Sequence, residues 1–320
     1  MIRAIALTGP TASGKTALSL SLAERLSCEI ISLDSMQLYR TMDIGTAKAT
    51  PAELARVPHH MLDILSPEES FSTSDYREVA TKIAGQIQKR GNLPLFVGGT
   101  GLYLETLRRT PMPVPKADPD FSDRMRAFAE KKGEDALWQR LYEVSPRDAE
   151  LIHKNNVRRV IRALEVYETT GKTKYEWDEL SKTPPTDISI LHITLNYHDR
   201  ERLYARCDAR IEEMLKMGLV EEARGLLEAG VFDKNPTARQ AIGYKELFGY
   251  LAGEETLDAA KERLRLATRH YVKRQLTWFS AHPPSYTLYM DDEDGALREP
   301  RSLIDEILLQ TEPFFKGYSI

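Results

Sequence analysis

Gly9-Pro10-Thr11-Ala12-Ser13-Gly14-Lys15-Thr16 fits the pattern G-x-x-x-x-G-K-[ST] at every fixed position. It stands between an apolar run at 2–8 and a stretch at 15–26 whose apolar residues recur near a 3.6 period. A strand, a glycine-rich turn and a helix in that order make an anion cradle. The glycines let successive backbone N–H groups curl around phosphate oxygens, and the helix N-terminus adds the positive end of its dipole. Lys15 supplies a point charge, and the Thr16 hydroxyl is placed to ligate Mg²⁺. Residues 9–16 therefore read as a P-loop for a di- or triphosphate.

Outward from the cradle, 29–33 and 93–97 read as further buried strands and 72–90 as an intervening helix; the third strand stops at Gly98-Gly99-Thr100-Gly101. Alternating strands and helices predict an α/β fold, a P-loop NTPase-like parallel sheet flanked by helices. Pro111, Pro113, Pro115 and Pro119 then make a stiff segment that neither a helix nor a central strand tolerates, and it marks a boundary. Residues 121–180 are patterned as helix with breaks at Gly133 and Gly171, and 189–195 alternates like a strand returning to the first sheet. The expected architecture is a catalytic core at 1–116 and 186–320 with an inserted all-helical domain at 117–185. Beyond 199 the chain reads as helical to 279, then a short strand at 286–290 and a last helix.

Composition narrows the function classes. Hydrophobic residues are 42% and charged residues 29% of 320, an ordinary globular balance. No apolar run reaches the roughly 20 residues of a membrane span, and 1–8 is too short for a secretory signal, so a cytoplasmic protein is expected. Cys28 and Cys207 are too few and too far apart for a disulfide framework or a zinc site. The net charge of −4 excludes a protein that coats nucleic acid through bulk positive charge, leaving local basic surfaces.

Ligands of open α/β sheets lie beyond the C-terminal ends of the strands, where the P-loop, Asp34 and Thr100 all fall. They should share one crevice. Asp34 ends the run Ile30-Ile31-Ser32-Leu33, which reads as a metal-supporting carboxylate, a catalytic carboxylate or a turn cap. Thr100 reads as part of that crevice, although Gly-Gly-Thr-Gly is also a plain turn.

Taken together, several segments resemble the bacterial tRNA dimethylallyltransferases (tRNA isopentenyltransferases). They are the P-loop, Ser32-Leu33-Asp34-Ser35-Met36-Gln37-Leu38-Tyr39, Met42-Asp43-Ile44-Gly45-Thr46-Ala47-Lys48, and Val97-Gly98-Gly99-Thr100-Gly101-Leu102-Tyr103. Arg159, Arg162-Ala163-Leu164-Glu165, Arg239-Gln240-Ala241-Ile242-Gly243-Tyr244 and Lys273-Arg274-Gln275-Leu276-Thr277-Trp278-Phe279 follow in order, so the resemblance spans nearly the whole chain. It implies transfer of a dimethylallyl group from dimethylallyl diphosphate to N6 of the adenosine just 3′ of a tRNA anticodon. The cradle then serves a leaving diphosphate, with Gly9, Pro10, Thr11, Ala12, Ser13, Gly14, Lys15 and Thr16 around it and Mg²⁺ on Thr16. The resemblance makes Asp34 the acceptor of the N6 proton. It places Thr100 at the diphosphate oxygens or the adenosine, and makes Arg210 a further diphosphate contact.

For the tRNA, the resemblance implies contacts from Asp34, Ser35, Met36, Gln37 and Thr100, from Arg124, Arg158, Arg159, Val160, Ile161 and Arg162, and from Arg239, Gly243 and Tyr244. Two basic stripes are legible without it. Lys154, Arg158, Arg159 and Arg162 have no acidic residue among them, while Val157, Val160, Ile161 and Leu164 take the spacing of a buried helix face. Lys261, Arg265, Arg269 and Lys273 recur at i+4 on another helix, a ridge roughly 18 Å long. Either stripe reads as an RNA track or as a solvated helix face. The insertion is expected to clamp the anticodon stem-loop, and the protein to act as a monomer without an obligate protein partner. Two other readings remain open on the residues alone: a P-loop kinase with Asp34 as base, and a nucleotide-gated RNA-binding protein.

Overall fold

The computed structural model describes residues 1–114 and 116–316; Pro115, one of the prolines read above as a boundary, lies outside the described residues. Six strands form one sheet in the order β3-β2-β4-β1-β5-β6. They are β1 Ile2–Thr8, β2 Cys28–Leu33, β3 His59–His60, β4 Leu93–Gly98, β5 Ile188–Asn196 and β6 Tyr286–Tyr289. Every pairing is parallel, with Ile5 opposite Leu95 on one side of β1 and opposite Leu191 on the other.

The central strands are apolar at nearly every position because both faces are covered. Ala4 and Ala6 of β1 face a core with Ile31, Leu33 and Phe96, closed by Tyr76, Ala80, Ala84 and Ile87 of the helix Thr73–Lys89. Ile5 and Leu7 face the opposite core with Ile30, Leu95, Ile193 and Leu195, closed by the helices Lys15–Leu26 and Pro300–Phe315. The helix Thr73–Lys89 starts at a capping box in which Ser72 accepts from the Asp75 N–H and the Asp75 side chain accepts from the Ser72 N–H.

The α/β class and the parallel P-loop-type sheet expected from the sequence are borne out. β3 was not expected, since two histidines carry no strand pattern. The helical stretch beyond 199 is several helices, chiefly Arg200–Lys216, Leu219–Glu228 and Leu257–Ala281; the first break is Gly218, at φ 101°. Gly218 holds a left-handed conformation that a side chain would strain.

The chain divides into two compact units, Met1–Leu107 with Asp187–Ile320, and Arg108–Thr186. The described elements of the second unit are helices: Pro119–Lys132, Glu134–Val144, Pro146–Leu151, Val157–Thr170 and Lys174–Ser181. Phe121, Leu137, Leu141, Val160, Ile161 and Leu164 form that unit's own core. Among the described residues no helix is long and apolar enough to cross a membrane.

Candidate active site

The P-loop leaves β1 through a backbone that only glycine can follow at its first position. Gly9 has φ 145°, and a Cβ there would stand 2.8 Å from the Leu195 carbonyl oxygen. Gly14, at φ 96°, precedes the helix Lys15–Leu26 and offers its first turn no side-chain cap, so those N–H groups are left for a ligand. The Ser13 hydroxyl is buried and has no hydrogen-bond partner. Lys15 folds over the loop, its Nζ donating to the carbonyls of Gly9 at 3.0 Å and Pro10 at 2.6 Å. Burial, and then the neighbouring Arg210 charge, push its ammonium down to about 7, against the opposing pull of Asp34.

Two arginines of the helix Arg200–Lys216 brace the loop. Arg206 Nε donates to the Ala12 carbonyl at 2.9 Å, and Arg210 Nη1 donates to the Thr11 hydroxyl at 3.4 Å. A cavity lined by the first turn of the helix Lys15–Leu26, Lys15, Arg206 and Arg210 brings the donors and cations that a diphosphate needs to one place.

Asp34 follows β2 in a tight turn. One carboxylate oxygen, Oδ1, accepts from the N–H groups of Met36 at 2.8 Å and Gln37 at 3.4 Å. The capping role open in the sequence is therefore real, and it leaves Oδ2 for other chemistry. The Ser35 N–H donates to the Thr100 hydroxyl oxygen at 3.2 Å, and the Thr100 N–H donates to the Leu33 carbonyl at 3.0 Å. Asp34 carries the charge felt by Lys15, Arg210 and Tyr271. Asp34, residues 11–16 of the P-loop and Tyr271 line one cavity of about 760 Å³, whose lining does not include Gly9, Pro10 or Thr100.

Thr16 is exposed and lines the same cavity. No cluster of three or more His, Cys, Asp or Glu side chains able to hold a metal occurs among the described residues. One hydroxyl at the mouth of an anion cradle fits Mg²⁺, which is commonly held by few protein oxygens together with phosphate and water.

The sequence matches the IPP transferase family over residues 37–282 and the Isopentenyl transferase family over residues 2–71. The tRNA dimethylallyltransferase of Caldanaerobacter subterraneus subsp. tengcongensis is 43% identical over 295 residues, 91% of this chain and 93% of that protein. This chain belongs to the IPP transferase family. The resemblance drawn from its motifs is thereby borne out. Of solved structures, the tRNA delta(2)-isopentenylpyrophosphate transferase of Staphylococcus epidermidis matches at 35% identity and TM-score 0.70, over 98% of this chain and 100% of its own. A eukaryotic dimethylallyltransferase acting on tRNA matches at 28% identity and TM-score 0.83, over 100% of this chain and 81% of its own.

In this IPP transferase family member the residues expected to meet RNA lie in unequal settings. Ser35 and Met36 line the cavity beside Asp34. The Gln37 amide faces inward: Nε2 donates to the carbonyls of Thr46 at 3.1 Å and Ala47 at 3.2 Å, and Oε1 accepts from Ser32 at 2.9 Å. Tyr244 is fully buried, its hydroxyl donating to Glu222 at 2.7 Å. The Gly243 N–H donates to Glu246 at 2.9 Å, and Arg239 pairs with Asp233 at 3.0 Å. Direct RNA contact by the Tyr244 side chain is thus corrected: the ring supports the 43–47 loop from behind.

In the helical unit Arg158 and Arg159 are exposed, and so is Arg124, whose guanidinium lies 5.6 Å from the Phe121 ring. Val160 and Ile161 are 1% and 3% exposed, their side chains packed in the core. Arg162 pairs with the buried Glu165 at 2.6 Å, and Lys154 pairs with Asp135 at 2.8 Å. The stripe narrows to Arg158 and Arg159, because the others answer to apolar packing or to acidic partners.

The second stripe, open in the sequence between an RNA track and a solvated face, meets acidic partners at three of its four cations. Lys261 and Arg265 both pair with Glu212, at 2.6 and 2.7 Å, and Arg269 pairs with Asp208. These cations form an ionic seam between the helices Leu257–Ala281 and Arg200–Lys216. An RNA track would have to displace those carboxylates.

Residues to which the sequence assigned no role lie further along the helix Leu257–Ala281. Gln275, 5% exposed, accepts the Thr11 N–H at 2.8 Å and donates to the Gly99 carbonyl at 3.1 Å. Its signal was a polar residue on the face shared with Val272 and Phe279. Trp278 and His282, one turn apart, stack at 4.1 Å beside Lys273 and Arg274 around a groove of about 560 Å³. An aromatic pair flanked by cations can stack an unpaired base.

Proposed function

We propose that the chain transfers a dimethylallyl group from dimethylallyl diphosphate to N6 of the adenosine 3′-adjacent to the anticodon in tRNA, releasing diphosphate. The observation that carries this is a single cavity holding both an anion cradle with Lys15, Arg206 and Arg210 and, on the neighbouring turn, the carboxylate of Asp34.

The chemistry follows from that pairing. The C1–O bond of the allylic diphosphate breaks with its electrons going to the leaving oxygen, and the P-loop N–H groups, Lys15 and Arg210 stabilise the charge that develops there. The adenine N6 lone pair forms the new bond to C1, and its displaced proton passes to Asp34 Oδ2 while Oδ1 keeps the Met36 turn fixed. Thr100 holds the Ser35 N–H and so fixes the residue next to the base. Mg²⁺, held by Thr16, would neutralise part of the diphosphate charge. The phosphates of the anticodon stem would be met by Arg124, Arg158 and Arg159, and a splayed loop base by the Trp278 and His282 stack. The protein acts in the cytoplasm, where tRNA resides, and needs no protein partner.

The test is incubation with labelled dimethylallyl diphosphate and unmodified tRNA, with and without ATP. Prenyl transfer without ATP is expected. ATP-dependent phosphate transfer, with no prenyl group on the RNA, would favour a kinase instead.

A further inference from the structure

The diphosphate cradle and the proposed base sit on different loops, after β1 and after β2, with the Gly98-Gly99-Thr100 turn after β4 between them in the sheet order. Transfer between a carbon on one loop and a nitrogen held by the other needs those loops in register to a fraction of an ångström, since a displacement of about 1 Å can cost 10²-fold in rate. One buried side chain spans the first gap. The Gln275 Oε1 accepts the Thr11 N–H at 2.8 Å, and its Nε2 donates to the Gly99 carbonyl at 3.1 Å. Its approach explains Gly99, where a Cβ would stand 2.2 Å from that Nε2. From Gly99 the chain passes to Thr100, whose hydroxyl holds the Ser35 N–H at 3.2 Å next to Asp34. Thr11 is fixed on its other side by Arg210 at 3.4 Å.

We infer that Gln275 is a positioning residue for the prenyl transfer, its amide locking the P-loop to the Gly99-Thr100 turn so that the leaving diphosphate and the Asp34 carboxylate stay in register. The two ends of the amide do different work, one accepting and one donating, so neither an ionised carboxylate nor an aliphatic chain of the same length replaces it. Because the Thr11 N–H is held by Gln275, the cradle offers a fixed set of donors to the ligand rather than a floppy loop. Gln275 touches neither substrate in this scheme; it acts through Thr11 and Gly99. The inference rests on the proposed prenyl transfer.

The experiment compares wild type, Gln275→Leu and Gln275→Glu in single-turnover prenyl transfer at saturating tRNA and dimethylallyl diphosphate across pH, with thermal unfolding in parallel. Gln275→Leu should lower the transfer rate about 10–100-fold, as removal of an orienting partner does, with both substrate affinities little changed. In Gln275→Glu the ionised carboxylate keeps the acceptor toward Thr11 but faces the Gly99 carbonyl with a second acceptor; protonation restores a donor. Its rate relative to wild type should therefore rise as the pH falls, a change that a packing role would not produce. An unchanged rate per folded molecule in Gln275→Leu, or a Gln275→Glu profile parallel to wild type, overturns the inference. Should Gln275→Leu fail to fold, the Gln275→Glu profile decides alone. Absence of transfer by wild type would instead sink the proposed reaction.

Discussion

The Tyr244 hydroxyl donates to Glu222 Oε1 at 2.7 Å, and the same carboxylate accepts the N–H groups of Asp43, Ile44 and Gly45 at 3.0, 2.8 and 2.9 Å. The 43–47 loop is pinned from behind, and its Thr46 and Ala47 carbonyls hold the Gln37 amide beside the Asp34 turn. Gly45 is small for this reason: a Cβ there would lie 2.4 Å from the Tyr244 ring.

Tyr244→Phe removes one hydrogen bond to a charged group while leaving the ring in place. We expect a loss of about 1.5–3 kcal/mol in denaturant unfolding with an unchanged slope, and faster amide exchange at Asp43, Ile44 and Gly45. Unaltered stability would show that the hydroxyl contributes nothing.

These relationships separate what the chain's order reveals from what it hides. The P-loop was legible because its conformational demand is local: Gly9 and Gly14 hold positive φ within one motif. The central strands were legible because two covered faces leave a continuous apolar run. The stripe of Lys261, Arg265 and Arg269 stayed ambiguous because periodicity defines a helix face but not its neighbour. Asp208 and Glu212, which neutralise it, stand on another helix. Gln275 stood in a quoted segment without a role for the same reason, its partners Thr11 and Gly99 being far away in sequence.

Lys15 gives a pH prediction. Burial, then Arg210, lower its ammonium to about 7 from an ordinary value of 10.5. Between those values the unfolded chain binds more protons than the ligand-free folded one, so this group's contribution makes the ligand-free protein more stable as the pH rises from about 7 to 10.5. A diphosphate in the cradle favours the charged form, so binding takes up protons in that window and weakens as the pH rises. Calorimetry at pH 8 in buffers of different ionisation enthalpy should show an uptake that Lys15→Met lacks. Equal proton uptake by both proteins would contradict this account of Lys15.

Salt dependence distinguishes the two basic stripes. Charge reversal of Arg158 and Arg159 should weaken tRNA binding and flatten its dependence on salt, by about one unit of slope for each lost phosphate contact. Arg265→Ala should leave that slope unchanged and lower stability, because its guanidinium serves Glu212. Fluorescence titrations from low to high salt read both, and the reverse pattern would restore the second helix as the RNA track.

The central claim is that Asp34 receives the N6 proton while the cradle receives the diphosphate. Asp34→Asn tests it most directly, since the amide oxygen can still accept from Met36 and preserve the turn while the base is removed. In a rapid-quench single turnover with both substrates saturating, we predict a rate about 10²–10⁴-fold below wild type with tRNA and dimethylallyl diphosphate still bound. Transfer at the wild-type rate would contradict the account.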